Sequence, residues 1–132
     1  MNIIFFIPWL VAVLSLNTLA TLNNEKLYLA NYAYHKAQEN NINTVKFVRL
    51  IECESQFNKN AKGDFRSEDK TFLANGILQF WRSTWNIQAD IYGFKKKDYL
   101  DPHKQIELAA LMIKEKDGWR HWFNCGRSVG FQ

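Results

Sequence analysis

The sequence predicts an α+β domain, mostly α, in which a helical core carries a small irregular lobe of short strands and loops. Three observations lead there. Apolar residues recur at helical spacing up to about residue 56 and again after Ser83. Between Asn58 and Phe80 that period is lost among polar residues and Gly63. The 132 residues allow one cored domain and at most a short extra element, not two cored domains. The composition, 47% hydrophobic and 23% charged with 6 Gly and 2 Pro, is that of a globular chain and excludes disorder and collagen-like repeats.

The elements follow in order. No charged residue precedes Glu25, and Ile3 to Leu16 is nearly all apolar, interrupted by Pro8 and Ser15. Small Thr18 and Ala20 stand where a signal peptidase reads, so residues 1–20 are expected to be an export signal, or a retained membrane anchor. Pro8 inside so short a run argues against a core helix. The rest of the chain is then expected to work outside the cytoplasm.

Residues 21–41 hold an N-terminal helix, from Asn23 to about Gln38, with Leu27, Ala30, Tyr34 and Ala37 as its apolar stripe. A second helix, capped by Asn43 or Thr44, carries Val45, Val48, Leu50 and Ile51 and ends at Cys53-Glu54-Ser55. Asn75-Gly76 is a hairpin-type turn signal. Ser83 is placed to cap a third helix through about Tyr92, with Trp85 as a core residue. Lys95-Lys96-Lys97 reads as a solvated loop. Asp101-Pro102 starts a last long helix that is expected to stop at Gly118. Residues 126–132 read as a tail.

Seventeen Lys and Arg against thirteen Asp and Glu leave a formal charge of +4. A nucleic-acid binder carries a denser basic stripe, so no nucleic-acid partner is expected, whereas a mild positive charge suits a polyanionic wall or membrane surface. Cys53 and Cys125 are an even count in an oxidising compartment, which makes a disulfide the natural inference and two buried thiols the alternative. Two cysteines are too few for a structural zinc site, and His35, His103 and His121 show no ligand spacing. No metal and no cofactor are expected.

Chemistry has to come from the middle of the chain. Glu52 and Glu54 lie two apart, which on a helix turns them to widely different faces, so they are no working pair. Glu54, at a helix end next to Cys53 and close to Phe57, is the better candidate. A carboxyl held against apolar walls keeps its proton longer, and a pKa of roughly 6 to 7 lets it protonate a leaving group near neutral pH. Residue types alone favour a surface glutamate at a helix terminus instead.

The wider pattern points further. Glu54-Ser55-Gln56-Phe57-Asn58, Gly76-Ile77-Leu78-Gln79-Phe80 and Ser83-Thr84-Trp85 resemble the lysozyme-like lytic transglycosylases. The first of these motifs is similar to that of the soluble lytic transglycosylases. Cys53-Glu54, Leu78-Gln79-Phe80, Thr84-Trp85, Gln105-Ile106 and the closing Trp119, Trp122 and Cys125 resemble the resuscitation-promoting factors. The resemblance covers residues 42–125. It departs in Lys62 to Leu73, longer and more charged than in the resuscitation branch, and in lacking the Ala-Tyr-Asn-x-Gly motif of the soluble branch.

This resemblance implies a lysozyme-like catalytic domain over residues 42–125, Glu54 as the catalytic acid and a disulfide between Cys53 and Cys125. It implies substrate contacts from Gly76, on the cleft floor, and Gln79, whose amide both donates and accepts. Ser55, Trp81 and, at the cleft rim, Tyr99 and Asp101 complete the candidates. Trp119 and Trp122 are expected to pack the closing segment.

Cleaving a glycosidic bond needs a proton on the leaving oxygen as an oxocarbenium-like centre develops, and a hydrolase usually adds a second carboxylate. In the family mechanism one Glu serves first as acid and then as base toward the sugar's own C6 hydroxyl, leaving a 1,6-anhydro end. Asp64, Glu68 and Asp69 lie in the intervening loop as candidates for a second carboxylate. The expectation is an exported monomeric enzyme, secreted, periplasmic, wall-associated or anchored outside the inner membrane. It would cut the β-1,4 bond between N-acetylmuramic acid and N-acetylglucosamine in peptidoglycan. The alternatives are a hydrolytic muramidase, a non-catalytic glycan-binding module and a wall-opening subunit of a secretion apparatus.

Overall fold

The computed structural model describes the backbone of residues 7–132 and side chains from residue 20 onward. Helix α1 spans Ile7–Glu39, with Pro8 in its first turn, where the missing N–H is unpaired in any helix. The helix passes without a break through the boundary expected at residue 20. The first six residues of the expected export segment lie outside the described residues. Among the described residues, no helix is long and apolar enough to cross a membrane.

The stripe that α1 buries differs from the expected one. Leu29, Ala33 and Ala37 are fully buried, whereas Leu27 and Tyr34 are exposed. Small side chains at four-residue spacing let α1 lie close against α2 (Thr44–Ser55) and α4 (Pro102–Lys114). Tyr32 reinforces the contact by donating its hydroxyl to Glu107 Oε1 at 2.5 Å.

Asn43 caps α2, its side chain accepting from Lys46 N at 2.9 Å, and Phe47, Leu50 and Ile51 face the core. Gln56 and Phe57 then adopt left-handed backbone, φ 52° and 57°, which ends the helix immediately after Ser55 and turns Phe57 inward. The irregular lobe is a three-stranded antiparallel sheet, β1 (Lys62–Arg66), β2 (Thr71–Asn75) and β3 (Phe80–Trp81), in that order. Asn75-Gly76 does turn the chain, but the β2–β3 loop has four residues, because Asn75 pairs with Phe80.

Helix α3 (Arg82–Tyr92) issues directly from β3 one residue before Ser83, so Ser83 lies in its first turn and is not its cap. Trp81 holds the capping position without a side-chain bond to the helix's own N–H groups, since the sheet already fixes the helix start. Asp101 caps α4 through Oδ1, accepting from His103 N at 2.9 Å and Lys104 N at 3.2 Å. Asp101 thus caps the helix as the sequence predicts, and it does not line the groove described below. Helix α4 ends at Lys114, four residues before Gly118. Gly118 instead opens a 3-10 helix, Gly118–Trp122, at a point where any Cβ would collide with the Met112 carbonyl. Helix α5 (Phe123–Ser128) runs across the boundary expected after Cys125, and Val129 and Phe131 pack on the core.

Trp85, Phe80 and Trp122 meet edge to face at the core's centre, with Phe80 5.5 Å from Trp85 and 5.4 Å from Trp122. Gln105 on α4 is fully buried as well. Its Oε1 accepts from Leu78 N at 2.9 Å, and its Nε2 donates to Tyr99 O at 2.7 Å and Asn75 O at 3.2 Å.

Candidate active site

A groove of about 390 Å³ opens between the end of α2, the sheet and the 3-10 segment before α5. Glu54 and Asp64 both line it, together with Gln79 and Trp81 from the sheet lobe and Trp122 and Phe123 from the closing segment. The left-handed turn after Ser55 makes Glu54 one of the last helical residues and leaves its side chain at the groove. Burial, and secondly the negative charge of Asp64, push its carboxyl from 4.5 up to about 7. The apolar walls are Phe80, Trp81, Trp122 and Phe123. Phe57, the expected neighbour, faces a separate hollow shared with Lys26, Arg49 and Glu52, so the two glutamates do stand apart.

Cys53 and Cys125 form a disulfide with Cα atoms 5.8 Å apart, fastening the end of α2 to α5. Through it Phe123, Asn124 and Cys125 become groove wall opposite the sheet.

The remaining candidates divide. Gln79 lines the groove, and its Nε2 donates to Gly76 O at 2.9 Å and Ala61 O at 3.1 Å. Trp81 lines it too, 45% exposed, with Nε1 donating to Asp64 Oδ2 at 2.7 Å. Ser55, Gly76 and Tyr99 do not line it. The Ser55 hydroxyl donates to Ile77 O at 2.7 Å, joining α2 to the β2–β3 loop rather than to Glu54. Gly76 has φ +84°, and a Cβ there would collide with the Gln105 amide, so the close approach it permits is to a core side chain. Tyr99 is only 6% exposed and braces β3 by donating to Phe80 O at 2.6 Å. Trp85 and Trp119 are buried, as expected of packing residues.

Of the three loop carboxylates only Asp64 reaches the groove. It sits inside β1 with left-handed φ 51°, a conformation that Asp tolerates better than most residues. Glu68 and Asp69 sit at the far end of the hairpin, where Arg66 is 3.3 Å from Asp69 and 4.0 Å from Glu68. Sequence reasoning did not find Thr84, His121, Phe123 or Asn124 as groove residues. The last two were within reach, since a bond from Cys125 to the neighbour of Glu54 necessarily brings them close. Among the described residues no cluster of three or more His, Cys, Asp or Glu side chains is placed to hold a metal ion.

A mostly helical α+β fold with a small antiparallel sheet beside the groove is that of a lysozyme-like domain. Residues 31–120 match the transglycosylase SLT domain family, and the chain belongs to it. The match begins inside α1, so about the last quarter of that helix, residues 31–39, is part of the family domain. No curated protein and no solved structure matches the chain. Membership indicates a peptidoglycan-cleaving function of lytic transglycosylase type, acting on glycan strands of the cell wall.

Proposed function

We propose that the protein is an exported lytic transglycosylase in which Glu54 alone moves the proton. The observation that carries this reading is the position of Glu54, partly buried between aromatic walls and held protonated up to about pH 7. In the first step Glu54 gives its proton to the glycosidic oxygen as the bond to C1 of N-acetylmuramic acid breaks, and positive charge develops at C1 and the ring oxygen. The Asp64 carboxylate, in the same groove, opposes that charge. In the second step the C6 hydroxyl oxygen of the same sugar bonds to C1 and its proton passes to the Glu54 carboxylate. The enzyme is regenerated and the strand ends in a 1,6-anhydro ring. Gln79 has both amide hydrogens directed at loop carbonyls and offers Oε1 to a sugar hydroxyl or acetamido N–H.

The Cys53–Cys125 disulfide supports work in an oxidising compartment, outside the cytoplasm or on the outer face of a membrane. The N-terminal segment then serves as a removed leader or a retained anchor, and the domain acts as a monomer.

Asp64 favours one second reading, hydrolysis. If its carboxylate activates water in place of the C6 hydroxyl, the products carry reducing ends. Digestion of purified wall followed by mass analysis separates the two, since anhydro ends are one water lighter. Products without any anhydro species would overturn the transglycosylase reading and leave Glu54 as the acid.

A further inference from the structure

The segment Lys62 to Leu73, the one that departs from the resuscitation branch, builds a hairpin of which the cleavage chemistry uses Asp64 and leaves the outer end without a role. Its register puts Phe65 opposite Phe72 and Gly63 opposite Ala74, and the next pairing puts Ala74 opposite Trp81. Directly paired residues point to one face of an antiparallel sheet, and residues two apart along a strand share it. Phe65, Phe72, Gly63, Ala74 and Trp81 therefore share a face. Ala74 and Trp81 line the groove, and a Cβ on Gly63 would strike the Gln79 side-chain oxygen, so this is the face turned toward Glu54's groove.

Beyond the groove the same face continues as an exposed aromatic pair. Phe65 and Phe72 have ring centroids 5.2 Å apart and are 59% and 43% exposed. The next row of that face, two residues and about 7 Å along the strands, is Gly63, Ala74 and Trp81, with Ala74 only 3% exposed. Trp81 is held in place by its bond to Asp64. The face thus runs as a track from Trp81 at the groove to the exposed Phe65 and Phe72 at the hairpin end.

We propose that Phe65 and Phe72 form a distal subsite for the glycan strand whose bond is cut at Glu54, each taking the apolar face of an N-acetylhexosamine ring. The proposal rests on the glycan-cleaving reading of the groove. A glycan is the occupant because the track is continuous with the cleavage groove and faces the same way. The subsite engages only strands long enough to span from Glu54 to the hairpin end.

The test measures binding by the full chain carrying Glu54→Gln, expected to turn substrate over at least about 100-fold more slowly. The ligands are peptide-free peptidoglycan glycan strands graded by length. Adding Phe65→Ala and Phe72→Ala is expected to weaken binding of long strands by about 3- to 10-fold and leave disaccharide binding unchanged. Phe65→Leu with Phe72→Leu, which keeps the hairpin's apolar contact but not its flat rings, is expected to show the same length-dependent loss. Tyr at both positions is expected to retain affinity. Unaltered long-strand binding in the Ala and Leu variants, or an equal loss at every length, overturns the subsite. If the Glu54→Gln chain binds no strand of any length, the reading of the groove itself falls, an outcome distinct from failure of the subsite alone.

Discussion

Glu54→Gln removes an ionisable group that the fold holds in an unfavourable place, so the variant is expected to gain stability as it loses activity. Burial, followed by the Asp64 charge, moves the Glu54 carboxyl from 4.5 to about 7. At about 1.4 kcal/mol per tenfold change, ionising it inside the groove would cost about 3 kcal/mol in a fully dry site. Glu54 is only partly buried, and solvent screening brings the figure to about 1–2 kcal/mol. The folded-state value is raised, so the stability that the protonated carboxyl contributes is complete below about pH 4.5 and is lost as pH rises through 7, above which the cost of ionisation is present in full. Glutamine has no such dependence. Urea unfolding followed by tryptophan fluorescence should find the variant about 1–2 kcal/mol more stable than the parent at about pH 8.5, and the gap closed near about pH 4. The parent's cleavage rate should fall through an alkaline limb near pH 7 as the acid loses its proton, and the variant should be at least about 100-fold slower at every pH. A variant no more stable than the parent at alkaline pH would refute the desolvation argument. A variant that clears wall at the parental rate would remove Glu54 from the chemistry.

Two further outcomes are expected. Replacing Cys53 and Cys125 by Ser opens a cross-link across 72 residues, which by chain entropy lowers stability by about 4 kcal/mol; thermal melts with and without reductant check it, and equal melts count against it. Asp64→Asn keeps a residue tolerant of left-handed backbone and removes only the charge, so the Glu54 carboxyl falls back toward its ordinary range; the alkaline limb of the pH–rate profile moves to lower pH, and an unmoved limb would deny Asp64 its electrostatic role.

What could be read before the fold was known was local or compartmental. Asn43 and Asp101 announce helices α2 and α4 because capping is written in adjacent residues. The Cys53–Cys125 pairing follows from their number and setting, and Glu54 from its place at a helix end within a recognisable motif. What could not be read depends on contacts between distant segments. Asp64, Glu68 and Asp69 look alike in sequence, and only the hairpin register and the left-handed φ at Asp64 send one to the groove and two to its far end. Tyr99 and Gly76 look like rim and floor, but both are committed to the core, one by its hydroxyl on Phe80 and the other by the approach of Gln105. In α1, alanines at helical spacing outcompete the larger Leu27 and Tyr34 for the buried face because the partner helices come so close.

The buried Gln105 sets how the two lobes come apart. Its one amide group serves the Leu78 N–H and the carbonyls of Asn75 and Tyr99, so withdrawing α4 would strand three backbone groups of the β2–β3 loop and the segment before α4 without water. The sheet lobe therefore has no inexpensive way of opening while α4 stays folded. In hydrogen–deuterium exchange the Leu78 amide should report the whole molecule's unfolding and not a local breathing of the loop. The loop's amide protection, and with it the lifetime of the groove wall that carries Gln79, is then set by a helix on the other side of the core.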